Sequence, residues 1–345
     1  MTTMRAAVLS GPQAFEVQEV EAPEVQPGGV LVRVRNCGIC GSDLHFYRGE
    51  FPAPTGLRMG HEIAGEVAAV GEGVTGLSAG QRVAVEPVEV CRTCVYCLTG
   101  RYQLCPERKF LGTMLPGAFA EYVHVPAYIV HPLPEGIDFE VGALVEPLAV
   151  AVHGLRQVGL SFGERVAVLG AGTIGLMALV GARALGASDV FITARYPHQI
   201  ETARALGADH VVEANENAVQ ELSAAFGARA PEVVVETVGG HADTPNEAVT
   251  LVQAGGRVSI LGIFTGQPTL NAALAVLKEV QLFGGITYGR PGSRSDFEVA
   301  LEIVAQRADD LRRVITHRVA LDDIGQGFAT AADKSQRSIK VTVEM

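Results

Sequence analysis

The stretch Arg165–Arg195, RVAVLGAGTIGLMALVGARALGASDVFITAR, constrains this chain more than any other. An apolar run, Val166–Leu169, leads into three glycines spaced as Gly170-x-Gly172-x-x-Gly175. A helical stretch from Ile174 to Leu185 stops at Gly186, and a second apolar run, Val190–Thr193, closes the unit. This pattern predicts a strand, a tight turn, a helix and a parallel strand. In such a unit the first glycine permits the turn. The second lets a pyrophosphate approach the backbone, and the third lets helix and strand pack closely. Freed N–H groups at the helix start, with the helix dipole, favour a diphosphate. Gly170, Gly172, Thr173, Ile174 and Gly175 are therefore the first candidate cofactor-binding residues. A glycine-rich turn with no ligand is the plain alternative, and the strand–helix–strand context favours the dinucleotide.

The rest of the chain divides around this unit. Its 345 residues suggest two domains. Residues 1–145 read as β-rich, with apolar or alternating runs at Ala6–Leu9, Val30–Arg35, Ile63–Val70, Arg82–Val85 and Phe119–Val125. Residues 146–284 alternate strands with helices. Strand candidates are Val166–Leu169, Val190–Thr193, His210–Val212, Val233–Glu236 and Arg257–Gly262. Helical stretches near Gln199–Leu206, Val219–Phe226 and Asn246–Gln253 lie between them. That alternation predicts an α/β, doubly wound parallel sheet. Residues 285–345, with a helix near Arg294–Arg307 and a last strand near Ile339–Val343, are expected to return to the first domain. The net charge of −11 argues against nucleic acid as a partner. No apolar run is long enough to span a bilayer, and the first residues, MTTMRAAVLS, lack a signal-peptide pattern, so a cytoplasmic protein is expected.

All six cysteines fall between Cys37 and Cys105, a clustering that suits metal binding in a reducing compartment better than disulfides. Cys91-x-x-Cys94-x-x-Cys97, followed by Cys105, offers four thiolates in one short lobe. Four thiolates satisfy a tetrahedral zinc with no open position, so this site is structural. A redox Cys-x-x-Cys pair is the rival reading. Cys37 lies outside the set and reads as a small buried residue.

A second donor set remains: Cys40, His61, Glu62 and Glu146. Together they supply S, N and O donors to a zinc that keeps a position for water or substrate. His61 and Glu62 are adjacent, so in a regular strand they would face opposite sides. Both reach one metal only if the backbone bends, which Gly60 permits; otherwise one glutamate orients a water on the metal.

These residues carry a family resemblance. The motifs GICGSDLH, GHEIAGEVAAVG, the four-cysteine lobe, GAFAEYV, EPLAVAVHG and GAGTIG stand in the order of the zinc-dependent medium-chain alcohol dehydrogenases. The chain resembles their sorbitol and threonine dehydrogenase branch over essentially its whole length. The resemblance implies a GroES-like catalytic domain interrupted by a Rossmann domain, with the active site in the cleft between them. It supports Cys40, His61 and Glu62 as metal ligands. It implies that Glu146, standing where classical members place a cysteine, can hold the metal's water, and that Ser42 and His45 relay the hydroxyl proton. Loop capping is the alternative for those two polar side chains. The implied chemistry is hydride transfer from a secondary alcohol to a nicotinamide seated by the glycine turn, Val238 and Leu261–Gly262. Relatives of this kind are commonly dimers or tetramers.

Two stretches bear on specificity. In sorbitol dehydrogenases an Arg-Tyr pair lines the polyol pocket, whereas here the matching stretch is Ile286-Thr287-Tyr288-Gly289-Arg290. Thr287 stands where the arginine would, and the YGR sequence is closer to threonine dehydrogenases. Arg290 is a candidate for binding a carboxylate or phosphate, or else a solvated loop residue. The substrate is thus a secondary alcohol, polyol or sugar alcohol in type, with a hydroxy amino acid as the alternative. The second stretch is the end of the Val190–Thr193 strand. An NAD site carries an acidic residue there, about twenty residues beyond the turn. This chain has Ala194 followed by Arg195, with Thr193 as a further hydroxyl. NADP is therefore favoured over NAD, since a guanidinium grips a 2′-phosphate. A zinc-free quinone or enoyl reductase and a non-catalytic dinucleotide-binding protein are the competing readings, and both leave the donor sets unexplained.

Overall fold

The alternation in the middle of the chain becomes a six-stranded sheet in the computed structural model, which describes residues 3–54 and 56–345. Across the sheet the strands run His210–Glu213, Val190–Ala194, Val166–Leu169, Val233–Glu236, Arg257–Ile260 and Gln281–Gly284. Every neighbouring pair is parallel. Numbered along the chain this order is three-two-one-four-five-six, the dinucleotide-binding arrangement, with its crevice where the order reverses beside Val166–Leu169. All four residues of that central strand are buried. Strands covered on both faces read as continuous apolar runs, and VAVL and VVVE do so here. Helices Thr173–Ala184, Pro197–Ala205, Ala218–Phe226 and Thr244–Leu251 connect them.

This sheet belongs to a unit spanning Pro147–Ile303. The return to the first unit was expected at residue 285, but residues 285–303 stay with the parallel sheet. The reason is a buried carboxylate. Asp296 is fully buried and accepts hydrogen bonds from His153 Nδ1 at 2.8 Å, Arg156 at 2.6 Å and the Gly289 N–H at 2.8 Å. Arg156 also donates to the carbonyls of Arg294 and Pro291. The loop after the sixth strand is thereby pinned to the Val145–Gln157 helix. The change of unit comes later, inside the helix Asp296–Arg312, which departs from helical geometry at Arg307.

The other unit joins the residues up to Glu146 with Val304–Met345. It is β-rich: strands Ile315–Ala320, Lys340–Glu344, Gly29–Gly38, Glu62–Val70, Arg82–Val85 and Val130–Pro132 form one sheet, with Tyr122–Pro126 also paired to Gly29–Gly38. The last strand lies antiparallel to Gly29–Gly38, with Val343 opposite Cys37. A tail helix, Ile324–Ala332, adds Phe328 to an aromatic cluster with Phe15 (4.5 Å), Tyr47 (5.1 Å) and Phe119 (5.7 Å). Full burial of such a ring contributes roughly 1.5–3 kcal/mol, which helps hold the tail in this unit. Among the described residues no helix is long and apolar enough to cross a membrane.

Candidate metal centres and dinucleotide turn

The four-cysteine lobe brings its sulfurs together. Cys91, Cys94, Cys97 and Cys105 place their Sγ atoms within 4.8 Å of one another. Cys91 Sγ lies 3.8 Å from Cys97 Sγ and 3.5 Å from Cys105 Sγ. Tetrahedral zinc with bonds near 2.3 Å needs sulfurs about 3.8 Å apart, so the set fits that ion. The N–H of Cys94 points at Cys91 Sγ, 3.4 Å away. Backbone donors from Thr93 and Cys94 draw the Cys91 thiol down to about 6, while burial and neighbouring sulfurs push Cys97 up to about 12. None of the six cysteines is in a disulfide, and Cys37 is buried.

A second set gathers Cys40, His61 and Glu62, again within 4.8 Å. Cys40 stands at the start of the helix Gly41–Tyr47. The bend that lets His61 and Glu62 share a target occurs at Gly60, whose φ is +97°. A Cβ there would lie 2.8 Å from Phe119 N and 2.9 Å from Cys37 Sγ, so only glycine fits. Glu146 lies outside the three-residue set but is buried, and its charge acts on His61.

Two supporting residues escaped the sequence reading. Asp43, 1% exposed, accepts the Cys40 N–H at 2.9 Å and lies 3.6 Å from His61 Nδ1. A carboxylate behind a ligating histidine fixes the ring's orientation. Burial pushes the imidazole of His61 down, but Asp43 and the Cys40 sulfur outweigh it and hold it well above the usual range. Asp43 follows Cys40 by three residues, the spacing of a helix-capping acid, which is a local signal for it. Lys340 gives no such signal. Its ammonium, buried in the last strand, donates to both oxygens of Glu62 at 2.5 and 2.7 Å and to the Ile39 carbonyl at 2.9 Å. Burial lowers the Lys340 pKa, yet Glu62 more than compensates and raises it overall. Ser42 and His45 lie one turn apart on the Gly41–Tyr47 helix, and both are partly buried.

The three glycines of the turn divide their work. Gly170 has φ +99°. A Cβ on Gly175 would lie 1.8 Å from the Gly170 carbonyl oxygen. The fold itself demands both. Gly172 is different: its φ is −74° and a Cβ would meet nothing within 4 Å. Gly172 is exposed at the start of the Thr173–Ala184 helix, beside the partly buried Thr173 and Ile174, so only a ligand's close approach calls for glycine there. Thr193 is buried, and its hydroxyl accepts the Gly170 N–H at 2.9 Å, bracing the turn from below. Ala194 is fully buried at the strand end, and Arg195 beyond it is exposed. The Arg195 guanidinium lies over the Tyr196 ring at 5.8 Å and pairs with no acidic side chain among the described residues. Val238, half exposed, and Leu261–Gly262 follow the next two strands. The buried Glu236 carboxylate accepts the N–H groups of Val238 and Gly239, and its carbonyl accepts those of Leu261 and Gly262. Arg290, by contrast, is engaged by the Ser293 carbonyl at 2.9 Å and Glu298 at 3.3 Å.

Residues 26–135 match the alcohol dehydrogenase GroES-like domain family, and residues 173–306 match the zinc-binding dehydrogenase family. With the two donor sets and the glycine turn, these matches define an oxidoreductase acting on alcohols. The chain belongs to the zinc-dependent medium-chain dehydrogenases. It is 32% identical to a sorbitol dehydrogenase of Bacillus subtilis, over 99% of this chain and 97% of that one. It is 36% identical to an L-threonine 3-dehydrogenase of Rhizobium johnstonii, over 99% and 98%. A solved zinc-binding dehydrogenase of Sinorhizobium meliloti, described as putative and bound to NADP, superposes with a TM-score of 0.89 at 31% identity, covering 100% of both chains.

Two zinc ions per chain are expected by elemental analysis. Cys94→Ser should lose one of them and melt at a lower temperature, because zinc binding to such a lobe is coupled to folding. A variant retaining both ions and the wild-type melting temperature would contradict the closed-site assignment.

Proposed function

We propose that this chain is a zinc- and NADP-dependent dehydrogenase of secondary alcohols, with polyols or sugar alcohols as substrates. The observation that carries the reading is the Cys40, His61, Glu62 cluster, three donors of three chemistries gathered at one point. A zinc ion held there supplies Lewis acidity that polarises the alcohol oxygen. The chain's own residues do the rest. Asp43 orients His61, and Lys340 holds Glu62 in place. Buried Glu146 suits the role of holding a water at the same centre. Ser42 takes the hydroxyl proton and His45 receives it one helical turn on. On the other unit, Gly170, Gly172, Thr173, Ile174 and Gly175 accept the diphosphate, and Val238 with Leu261–Gly262 seats the nicotinamide.

Cofactor choice follows from the strand end. Ala194 removes the carboxylate that would repel a 2′-phosphate, and among the described residues no acidic side chain pairs with the Arg195 guanidinium. Thr193 serves by holding the turn. Oxidation of a hydroxy amino acid is the second reading, favoured by the threonine dehydrogenase relative. The pairing of Arg290 with Glu298 weighs against it, because Glu298 competes with a substrate carboxylate for that guanidinium. The six free cysteines suit the cytoplasm.

The Gln281–Gly284 strand is the sheet's edge, and near it Val276 (75%), Leu277 (82%) and Leu282 (38%) are exposed. An exposed edge with apolar flanks is a pairing surface, and a second copy of this chain is its proposed occupant. Sedimentation should therefore read a dimer or tetramer; a monomer at micromolar concentration would rule this out.

The decisive test is a panel of secondary alcohols, polyols and threonine scored with NADP⁺ and NAD⁺. Polyol oxidation with NADP⁺ preferred is expected. Ala194→Asp with Arg195→Leu should reverse the cofactor preference. Losing one arginine–phosphate hydrogen-bond pair costs roughly 1.5–3 kcal/mol, or about ten- to hundred-fold in kcat/KM. A wild type that prefers NAD⁺, or a double variant with an unchanged ratio, would show that this strand end does not select the cofactor.

A further inference from the structure

The helix Gly41–Tyr47 ends in a tight return. The N–H groups of Glu50 and Phe51 both donate to the His45 carbonyl, at 2.9 and 3.3 Å. This return brings the Glu50 side chain back onto the helix's own histidine. Glu50 Oε2 lies 2.5 Å from His45 Nδ1. Phe51 packs on the imidazole, with ring centroids 4.9 Å apart at 34°, and is itself set edge-on against Phe46 at 5.6 Å. Arg48 stands 3.8 Å from the other Glu50 oxygen. The His45 side chain is only 17% exposed. The ring is thus held in one orientation by a carboxylate at one nitrogen and an aromatic ring at its side.

That arrangement decides which nitrogen is available. A carboxylate accepts and does not donate, so the neutral imidazole carries its proton on Nδ1 and leaves the lone pair on Nε2. Ser42 precedes His45 by three residues, so the two side chains share a helix face. We propose that Glu50 is a positioning residue of the proton relay, holding His45 in the Nδ1–H tautomer so that Nε2 receives the proton leaving the alcohol. This rests on the dehydrogenase reading given above.

The step balances as follows. The oxidant would be a nicotinamide held by the glycine turn, which would accept the hydrogen of the carbinol C–H bond together with its electron pair. The alcohol O–H proton passes to the Ser42 hydroxyl as Ser42 releases its own proton toward His45 Nε2. The carbonyl product forms, and the resulting imidazolium faces the Glu50 carboxylate until Nε2 yields the proton to water. Glu50 stays ionised throughout.

The test uses the intact protein labelled with ¹⁵N-histidine. Long-range ¹⁵N–¹H correlation spectra at alkaline pH report the tautomer of each ring, and the His45 signals are those lost in His45→Gln. His45 should carry its proton on Nδ1 in the wild type and on Nε2 in Glu50→Ala. Alcohol oxidation by Glu50→Ala should lose about ten-fold in kcat with KM nearly unchanged, as expected for removing the partner behind a functional histidine. Glu50→Asp should recover part of both signals. A residue that merely shaped the turn would leave the tautomer alone. An Nε2–H ring in the wild type, or one indifferent to Glu50→Ala, would overturn the proposal. A tautomer that switches while kcat stays at the wild-type value would overturn the positioning role. Should the wild type oxidise no alcohol, the dehydrogenase reading fails, and the proposal with it, whatever the tautomer shows.

Discussion

The buried ion pair between Lys340 and Glu62 ties the last strand of the β-rich unit to the candidate metal site. Its partners are 278 residues apart, and both side chains are no more than 2% exposed. Charges at such depth are tolerated only when paired and hydrogen-bonded, and removing one partner costs roughly 3–5 kcal/mol. The third acceptor of the Lys340 ammonium, the Ile39 carbonyl, immediately precedes Cys40. One ammonium therefore fixes the position of two candidate ligands. It also gives the chain's last strand a reason to pair beside Gly29–Gly38, so the return of the tail and the geometry of the candidate metal site are one problem.

The parallel-sheet unit rests on a different device, a glycine turn braced from beneath by hydroxyl groups. The Gly170 N–H donates to Thr193, and the Thr237 hydroxyl donates to the Leu169 and Gly170 carbonyls. Glu236 then gathers the N–H groups of the neighbouring segment. The upper surface, where Gly172 and the first turn of the helix lie, is open. At the strand's end the buried Ala194 is followed by the exposed Arg195, which is where the proposed cofactor selection lies.

How much of this is legible in the sequence depends on how local each feature is. The Val166–Leu169 and Val233–Glu236 strands and the glycine turn are local patterns, and the structure has them at those residues. The cysteine lobe is equally local. The Gly60 bend was readable because two adjacent candidate ligands demanded it. Long-range pairings left no trace: Lys340 is an ordinary lysine until the fold brings it to Glu62, and Asp296 an ordinary aspartate until it meets His153. The edge strand Gln281–Gly284 and the tail strand Ile315–Ala320 went unread, because edge positions relax the hydrophobic pattern that marks a strand. Thr193's place in the motif is visible in the sequence, whereas the hydrogen bond it accepts from the Gly170 N–H is not.

The central claim is that metal chemistry and dinucleotide binding reside in separate units of one chain. His61→Ala tests it most directly, through zinc content, NADPH binding by fluorescence and alcohol turnover measured on the same preparation. The account predicts one zinc fewer, NADPH affinity unchanged, and turnover down by at least about a hundred-fold, since metal polarisation is worth several kcal/mol. A His61→Ala protein that has lost that zinc yet turns over near the wild-type rate would contradict it.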